Sequence, residues 1–135
     1  SPQGAIVSSE HPLAKRRRIG LMELAAYPLV LWSERGPLWP QLATALKAYN
    51  VATSPRAMTN SLGMMSRLVR DGTGVGIFSH FGFEREIEEG HLVHVPFTEP
   101  FLADRKIGVF VVANRKLAAG PTLFLELLCE SLEAL

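Results

Sequence analysis

The passage from residue 60 to residue 79 constrains this chain most, because two periodicities meet there across a cluster of glycines. Leu62, Met64, Met65, Leu68 and Val69 make a wide apolar stripe at helical spacing, with Asn60 or Ser61 available as N-cap. Gly72 stands where a left-handed residue closes a helix, and Val75-Gly76-Ile77-Phe78-Ser79 then reads as a strand. A helix passing through a tight turn into a strand belongs to layered α/β architecture. The alternation recurs on both sides. Residues 4–8, 29–32, 56–59 and 92–96 predict strands, and residues 11–18 a polar loop. Short helices are expected over 21–26 and over 83–89, the latter ended by Gly90. Leu42, Ala45, Leu46 and Tyr49 fall at i, i+3, i+4 and i+7, with Asn50 as a stop. Residues 107–112 are apolar on both faces apart from Gly108, which predicts a strand central in a sheet covered on both sides. A last helix opens at Gly120-Pro121 and carries Phe124, Leu125, Leu127, Leu128, Leu132 and Leu135. The fold class expected is α/β, with a mostly parallel central sheet flanked by helices.

Composition narrows the function. At 47% apolar and 20% charged residues over 135 positions, the chain can bury a core and does not fit intrinsic disorder. Fourteen Lys and Arg against 13 Asp and Glu leave a net charge of +1, so bulk charge provides no argument for coating nucleic acid. The run Lys15-Arg16-Arg17-Arg18 lacks interleaved aromatics and reads as a solvated loop. The longest strongly apolar stretch, 24–32, contains Pro28 and is far short of the roughly 20 residues of a membrane span. A single cysteine, Cys129, suits a reducing cytosol and reads as a small buried hydrophobe. The chain begins at Ser1 without a secretory signal pattern and is expected to be a fragment.

Catalytic motifs fail on spacing. Gly72, Gly74 and Gly76 close a helix and open a strand, whereas a dinucleotide loop does the reverse. Gly76-x-x-Ser79-x-x-Gly82 has one residue too many on each side for a nucleophile elbow. His91 and His94, three apart on a strand, project to opposite faces, and His11 and His80 read as isolated, so no metal site is expected. Glu84, Glu86, Glu88 and Glu89 read as the solvated face of a short helix. No catalytic residue and no cofactor is assigned. Ligands on α/β sheets bind at the carboxyl ends of strands. Attention therefore falls on three strand-to-helix junctions: Trp32-Ser33, Thr59-Asn60-Ser61 and Ser79-His80-Phe81. If strand alternation continues to Phe81, Ser79 and Phe81 share a face and His80 points away.

His11-Pro12-Leu13-Ala14, the run 21–31, Leu68-Val69-x-x-Gly72-x-Gly74-x-Gly76-Ile77 and Glu88-Glu89-Gly90-His91-Leu92-Val93 occur in an order and spacing that resemble the effector-binding domain of LysR-type transcriptional regulators. The resemblance implies a lobe like that of a type 2 periplasmic binding protein, in which two α/β lobes joined by crossover strands hold a small inducer between them. It implies that residues 1–10 carry the first crossover strand, 11–96 the second lobe, and 97–135 the return crossover strand and closing helix of the first lobe. The rest of the first lobe and the N-terminal DNA-binding domain would be absent. The final helix would then leave Phe124, Leu125, Leu128 and Leu132 partly exposed or covered by a second copy. Effector-binding positions carried over by matching are Ser79 and Phe81, with Asn60, Ser61 and Ser33 beside them. Many family members have proline where this chain has Ser79.

The function expected is ligand sensing without catalysis in a cytoplasmic regulator. Its partners would be a small-molecule effector, DNA through the absent domain only, and further copies of itself in the full-length protein, with no membrane contact. A solute-binding protein of the same architecture and a small α/β enzyme are the alternatives, the latter needing Ser79 and His80 to meet an acid.

Overall fold

A computed structural model describes residues 2–33, 39–51, 55–103 and 108–134. The chain divides into two compact units, 1–105 and 106–135.

The first unit is built on one five-stranded sheet of order β3-β2-β4-β1-β5, formed by β1 (Gln3–Ser8), β2 (Leu29–Trp32), β3 (Ala57–Thr59), β4 (Val75–Ser79) and β5 (Leu92–Pro96). β2 pairs in parallel with β3 and β4, whereas β1 pairs antiparallel with both β4 and β5. The sheet is mixed: β2 to β5 run one way, as expected of a mostly parallel sheet, and β1 alone runs the other. Periodicity locates strands but carries no sign of direction, which is why the reversed strand was not legible.

Gly4, Ala5, Ile6 and Val7 of β1 are all buried, as expected of a strand covered on both faces. Alternation divides their environment. Ala5, Val7, Leu29, Leu31, Val75, Ile77 and Val95 join one cluster, which α1 (Trp39–Ala48) enters through Leu42 and Leu46. Ile6, Val30 and Leu92 join the other, where Met65 and Val69 of α2 (Leu62–Arg70) and Phe83 cover the sheet. Ser61 caps α2, its hydroxyl oxygen accepting from the Met64 N–H at 3.3 Å. Gly72 follows the helix at φ +77°. α3 (Glu84–Glu88) precedes β5, and α4 (Pro100–Ala103) is a short helix outside the sequence expectations.

Residues 12–15 are a 3-10 helix rather than a loop, and the short helix expected over 21–26 is present as a 3-10 helix. The first is capped by His11, whose Nδ1 accepts from the Leu13 N–H at 3.1 Å. In the second, the Gly20 N–H donates to Glu23 and the Leu21 N–H to Glu99, each at 2.9 Å. These side-chain acceptors satisfy the first amides of the turn. Among 15–18, Arg16 pairs with Glu23 at 2.9 Å, and Arg16, Arg17 and Arg18 are exposed.

The second unit overturns the most emphatic strand expectation. Residues 108–112 form no strand, Ile107 lies outside the described residues, and Val109, Phe110, Val111 and Val112 are exposed. An apolar run becomes a strand only where another strand's edge satisfies its backbone, and no described strand pairs with this one. Helix α5 (Ala119–Glu133) forms as expected and has no buried residue. Phe124 is exposed, while Leu125, Leu128 and Leu132 are half-buried. Cys129 is exposed, not buried as its leucine-rich surroundings suggested.

Two glycines of the first unit make opposite demands. A methyl group on Gly74 would lie 2.5 Å from the Pro28 carbonyl oxygen, the acceptor of the Val75 N–H that begins the β2–β4 pairing. Gly63, exposed on α2, has only the Ser61 hydroxyl at 3.9 Å. Gly74→Ala is expected to lose about 1–3 kcal/mol through steric overpacking. Gly63→Ala should gain up to about 1 kcal/mol of helix propensity. Urea unfolding midpoints that shift in the same direction for both would contradict this reading.

Candidate functional site

Because β3, β2 and β4 are parallel neighbours, their carboxyl ends lie along one edge of the sheet. Trp32 is in register with Thr59, and the Ser33 N–H donates to the Thr59 carbonyl at 3.0 Å. The Thr59 hydroxyl accepts from the Ser61 N–H at 3.1 Å and tightens the turn into α2. Aromatic packing ties the third junction to the first. Trp32 and Phe78 have ring centroids 5.3 Å apart, and Phe78 meets Phe83 edge-on at 5.7 Å. Any methyl group on Gly82 would be 2.9 Å from the Phe78 ring and 3.3 Å from Leu62 Cδ2, so the chain after Ser79 packs against the start of α2. The three junctions singled out by sequence thus meet along one edge.

Individual residues differ in what they offer. Ser33, Asn60 and Ser61 are exposed, Ser79 is half-buried and Phe81 is exposed. The Ser61 oxygen is already engaged as the helix cap, so its hydroxyl hydrogen is what a ligand would meet. Ser79 is the last residue of β4 and precedes a 3-10 turn over His80–Gly82, with no capping hydrogen bond from its side chain. The turn corrects the expectation that alternation carries Ser79 and Phe81 onto one face, because a two-residue period ends where the extended backbone ends.

His80 is likewise not isolated. Its ring meets that of His94 edge-on, with centroids 5.6 Å apart. This contact joins the third junction to β5 and was invisible to sequence reasoning, since fourteen residues separate the pair. Burial, with the His80 ring beside it, pushes His94 down to about 4, against the weaker opposing pull of the Phe78 and Pro2 carbonyls. Those carbonyls do not meet Nε2 in hydrogen-bonding geometry, and the atom is buried without a partner. His91 sits apart, 3.8 Å from Glu89. Among the described residues no three His, Cys, Asp or Glu side chains gather to hold a metal, and no helix is long and apolar enough to cross a membrane.

Three cavities walled by described residues lie away from this edge. One of about 410 Å³ lies near Ser8, His11, Arg70 and Gly72, a second of about 300 Å³ near Ser66 and Asp71, and an open apolar groove lies between α1 and Phe101. The first two are at the other end of β1 and α2 and do not touch the parallel strands' carboxyl ends. The described residues at the junctions present hydroxyls and aromatic surface. This composition suits hydrogen bonding and stacking on a small molecule.

The sequence profile of the LysR substrate binding domain matches residues 1–133. No curated protein matches the chain. HinK, a LysR family transcriptional regulator from Pseudomonas aeruginosa, is similar in structure with a TM-score of 0.71 at 17% identity, over 93% of this chain and 42% of that one. The CcmR regulatory domain of Synechocystis PCC6803 in complex with 2-PG gives 0.68 at 18% identity, over 94% and 61%. The effector binding domain of QuiR in complex with shikimate gives 0.64 at 19% identity, over 93% and 58%. The chain therefore spans less than two thirds of each, and at these identities the likeness establishes the fold.

The low affinity of folded His94 for protons sets a pH window. In the unfolded chain His94 titrates near 6.5, so as pH falls from there towards 4 the unfolded state takes up a proton that the folded state refuses. Stability is expected to be full above pH 6.5 and to decline across that window, before the lowered carboxylates of Glu23 and Glu89 contribute below about 4.5. His94→Phe should flatten the decline between pH 6.5 and 4.5, leaving a remnant from His11, which burial also lowers. Urea midpoints at pH 7, 5.5 and 4.5 check this, and an unchanged slope in the variant contradicts it.

Proposed function

The chain belongs to the LysR substrate-binding domain family, and on that premise we propose that it senses a small-molecule effector for a transcriptional regulator and performs no catalysis. The observation that carries this reading is the convergence of the three junctions along the carboxyl edge of β3, β2 and β4. Ser79, Asn60, Ser61 and Ser33 would supply hydrogen bonds and Phe81 an apolar wall. The effectors in the related structures are shikimate, bound to QuiR, and 2-PG, bound to CcmR. Both names make small polar metabolites the first probes for this chain.

The reading extends to organisation. Residues 1–10 would carry the first crossover strand, 11–96 the effector-binding second lobe, and 97–135 the return crossover segment and closing helix of the first. DNA would be bound by a separate domain, the complete regulator would be a cytoplasmic homo-oligomer, and effector occupancy would alter its hold on DNA.

Chemical-shift mapping on the ¹⁵N-labelled chain, titrated in turn with shikimate, 2-PG and a panel of small metabolic acids, tests the site. The perturbed amides are expected to cluster at Ser33, Asn60, Ser61 and 79–81. Where an effector hydrogen-bonds the Ser79 hydroxyl through a charged group, Ser79→Ala should weaken binding roughly ten- to a hundredfold. A saturable ligand whose shifts cluster instead around Ser8, His11 and Arg70 would relocate the site to the opposite end of the sheet.

A further inference from the structure

The contact between His80 and His94 has a geometric origin in β1. Gly4, in register with Phe78 on one side and Pro96 on the other, has no side chain on the face that also carries Ile6. The imidazole of His94 occupies the space this leaves: a methyl group on Gly4 would lie 2.5 Å from Nε2 and 2.9 Å from Cε1. His94 thus lies across β1 towards β4, and its ring is the surface against which His80 packs at 5.6 Å. The turn over His80–Gly82 is gripped from three directions. Buried Phe83 anchors its end, Gly82 packs on Phe78 and Leu62, and His80 rests on His94. Only the last of these supports is titratable.

We propose that His94 is an internal prop for the effector site: seated over Gly4, it positions the His80–Gly82 turn and thereby sets where Ser79 and Phe81 stand. The site concerned is the one assigned under the proposed function, so the role in effector binding rests on that reading, whereas the prop itself does not. A proton on His94 would place charge on a ring whose buried Nε2 makes no hydrogen bond, next to a second histidine, and the weaker pull of the Phe78 and Pro2 carbonyls does not offset this. Withdrawal of the ring towards water would relieve this and leave His80 unsupported. The other elements offer no compensating charge. β1 and β4 carry no titratable side chain. On the covering helices, Arg67 and Arg70 of α2 and Glu84, Arg85, Glu86 and Glu88 of α3 exert no resolved influence on His94. Among the described residues His80 is the one ionisable group that acts on it.

The test needs no effector. Amide spectra of the ¹⁵N-labelled chain are compared at pH 7 for wild type, His94→Ala and His94→Phe, and then followed down to pH 4. In His94→Ala the amides of Ser79, His80, Phe81 and Gly82 should shift at pH 7, while those of Leu42 and Leu46 on α1 stay in place as evidence of an intact fold. In wild type, acidification through the His94 transition should move the four amides in the same direction. His94→Phe keeps a ring over Gly4 without a titrating group, so it should hold them near their wild-type positions and diminish their acid response. Turn amides that superpose in wild type and His94→Ala would overturn the proposal, as would an acid response undiminished in His94→Phe. If the prop holds but no tested metabolite perturbs residues 79–81, the effector assignment fails and the prop stands.

Discussion

β1 is the element on which the rest of the first unit depends. It is the one strand that runs against the others, it is hydrogen-bonded along both edges, and its four central residues are buried. A backbone buried on both faces must satisfy its amides and carbonyls within the sheet, and β4 and β5 together do so. Its side chains alternate between the two hydrophobic clusters, so this single strand joins both layers of the unit.

The consequences reach the candidate site. With β1 reversed between them, β4 and β5 run parallel without being adjacent, and the carboxyl ends of β2, β3 and β4 share one edge with the end of β5. Loops at that edge are therefore forced together even though they come from residues 33, 60 and 79. The absence of a side chain at Gly4 opens the space that His94 fills, so the same strand that organises the sheet also shapes the support of the His80–Gly82 turn. A substitution at Gly4 would act on both, since the Val95 carbonyl stands as close to the missing methyl position as the imidazole does.

The second unit is a different physical case. Helix α5 satisfies its backbone hydrogen bonds internally, so it needs no neighbouring strand to form. Residues 108–112 have no such recourse: equally apolar, they are exposed and irregular because a strand's hydrogen bonds belong to its neighbours. Phe110, Phe124 and Leu127 are exposed.

Local chemistry was what the sequence determined by itself. A cap at Asn60 or Ser61, the left-handed Gly72, the helix end at Gly90, the stripe of α2 and the strands at 29–32, 75–79 and 92–96 all follow from the nearest few residues; the structure has them where the pattern puts them and chooses Ser61 for the cap. The strand-to-helix junctions were legible for the same reason. Long-range pairing was not: the direction of β1, the lack of a strand at 108–112, and the meeting of His80 with His94 each depend on partners far away along the chain. Even Ser79 and Phe81, two residues apart, escaped the two-residue rule because Phe83 anchors in the core and Gly82 packs on Phe78, which coils the backbone just where β4 ends. Short-range sterics and hydrogen bonding specify which elements can form; only their mutual burial decides direction, register and which side chains face each other.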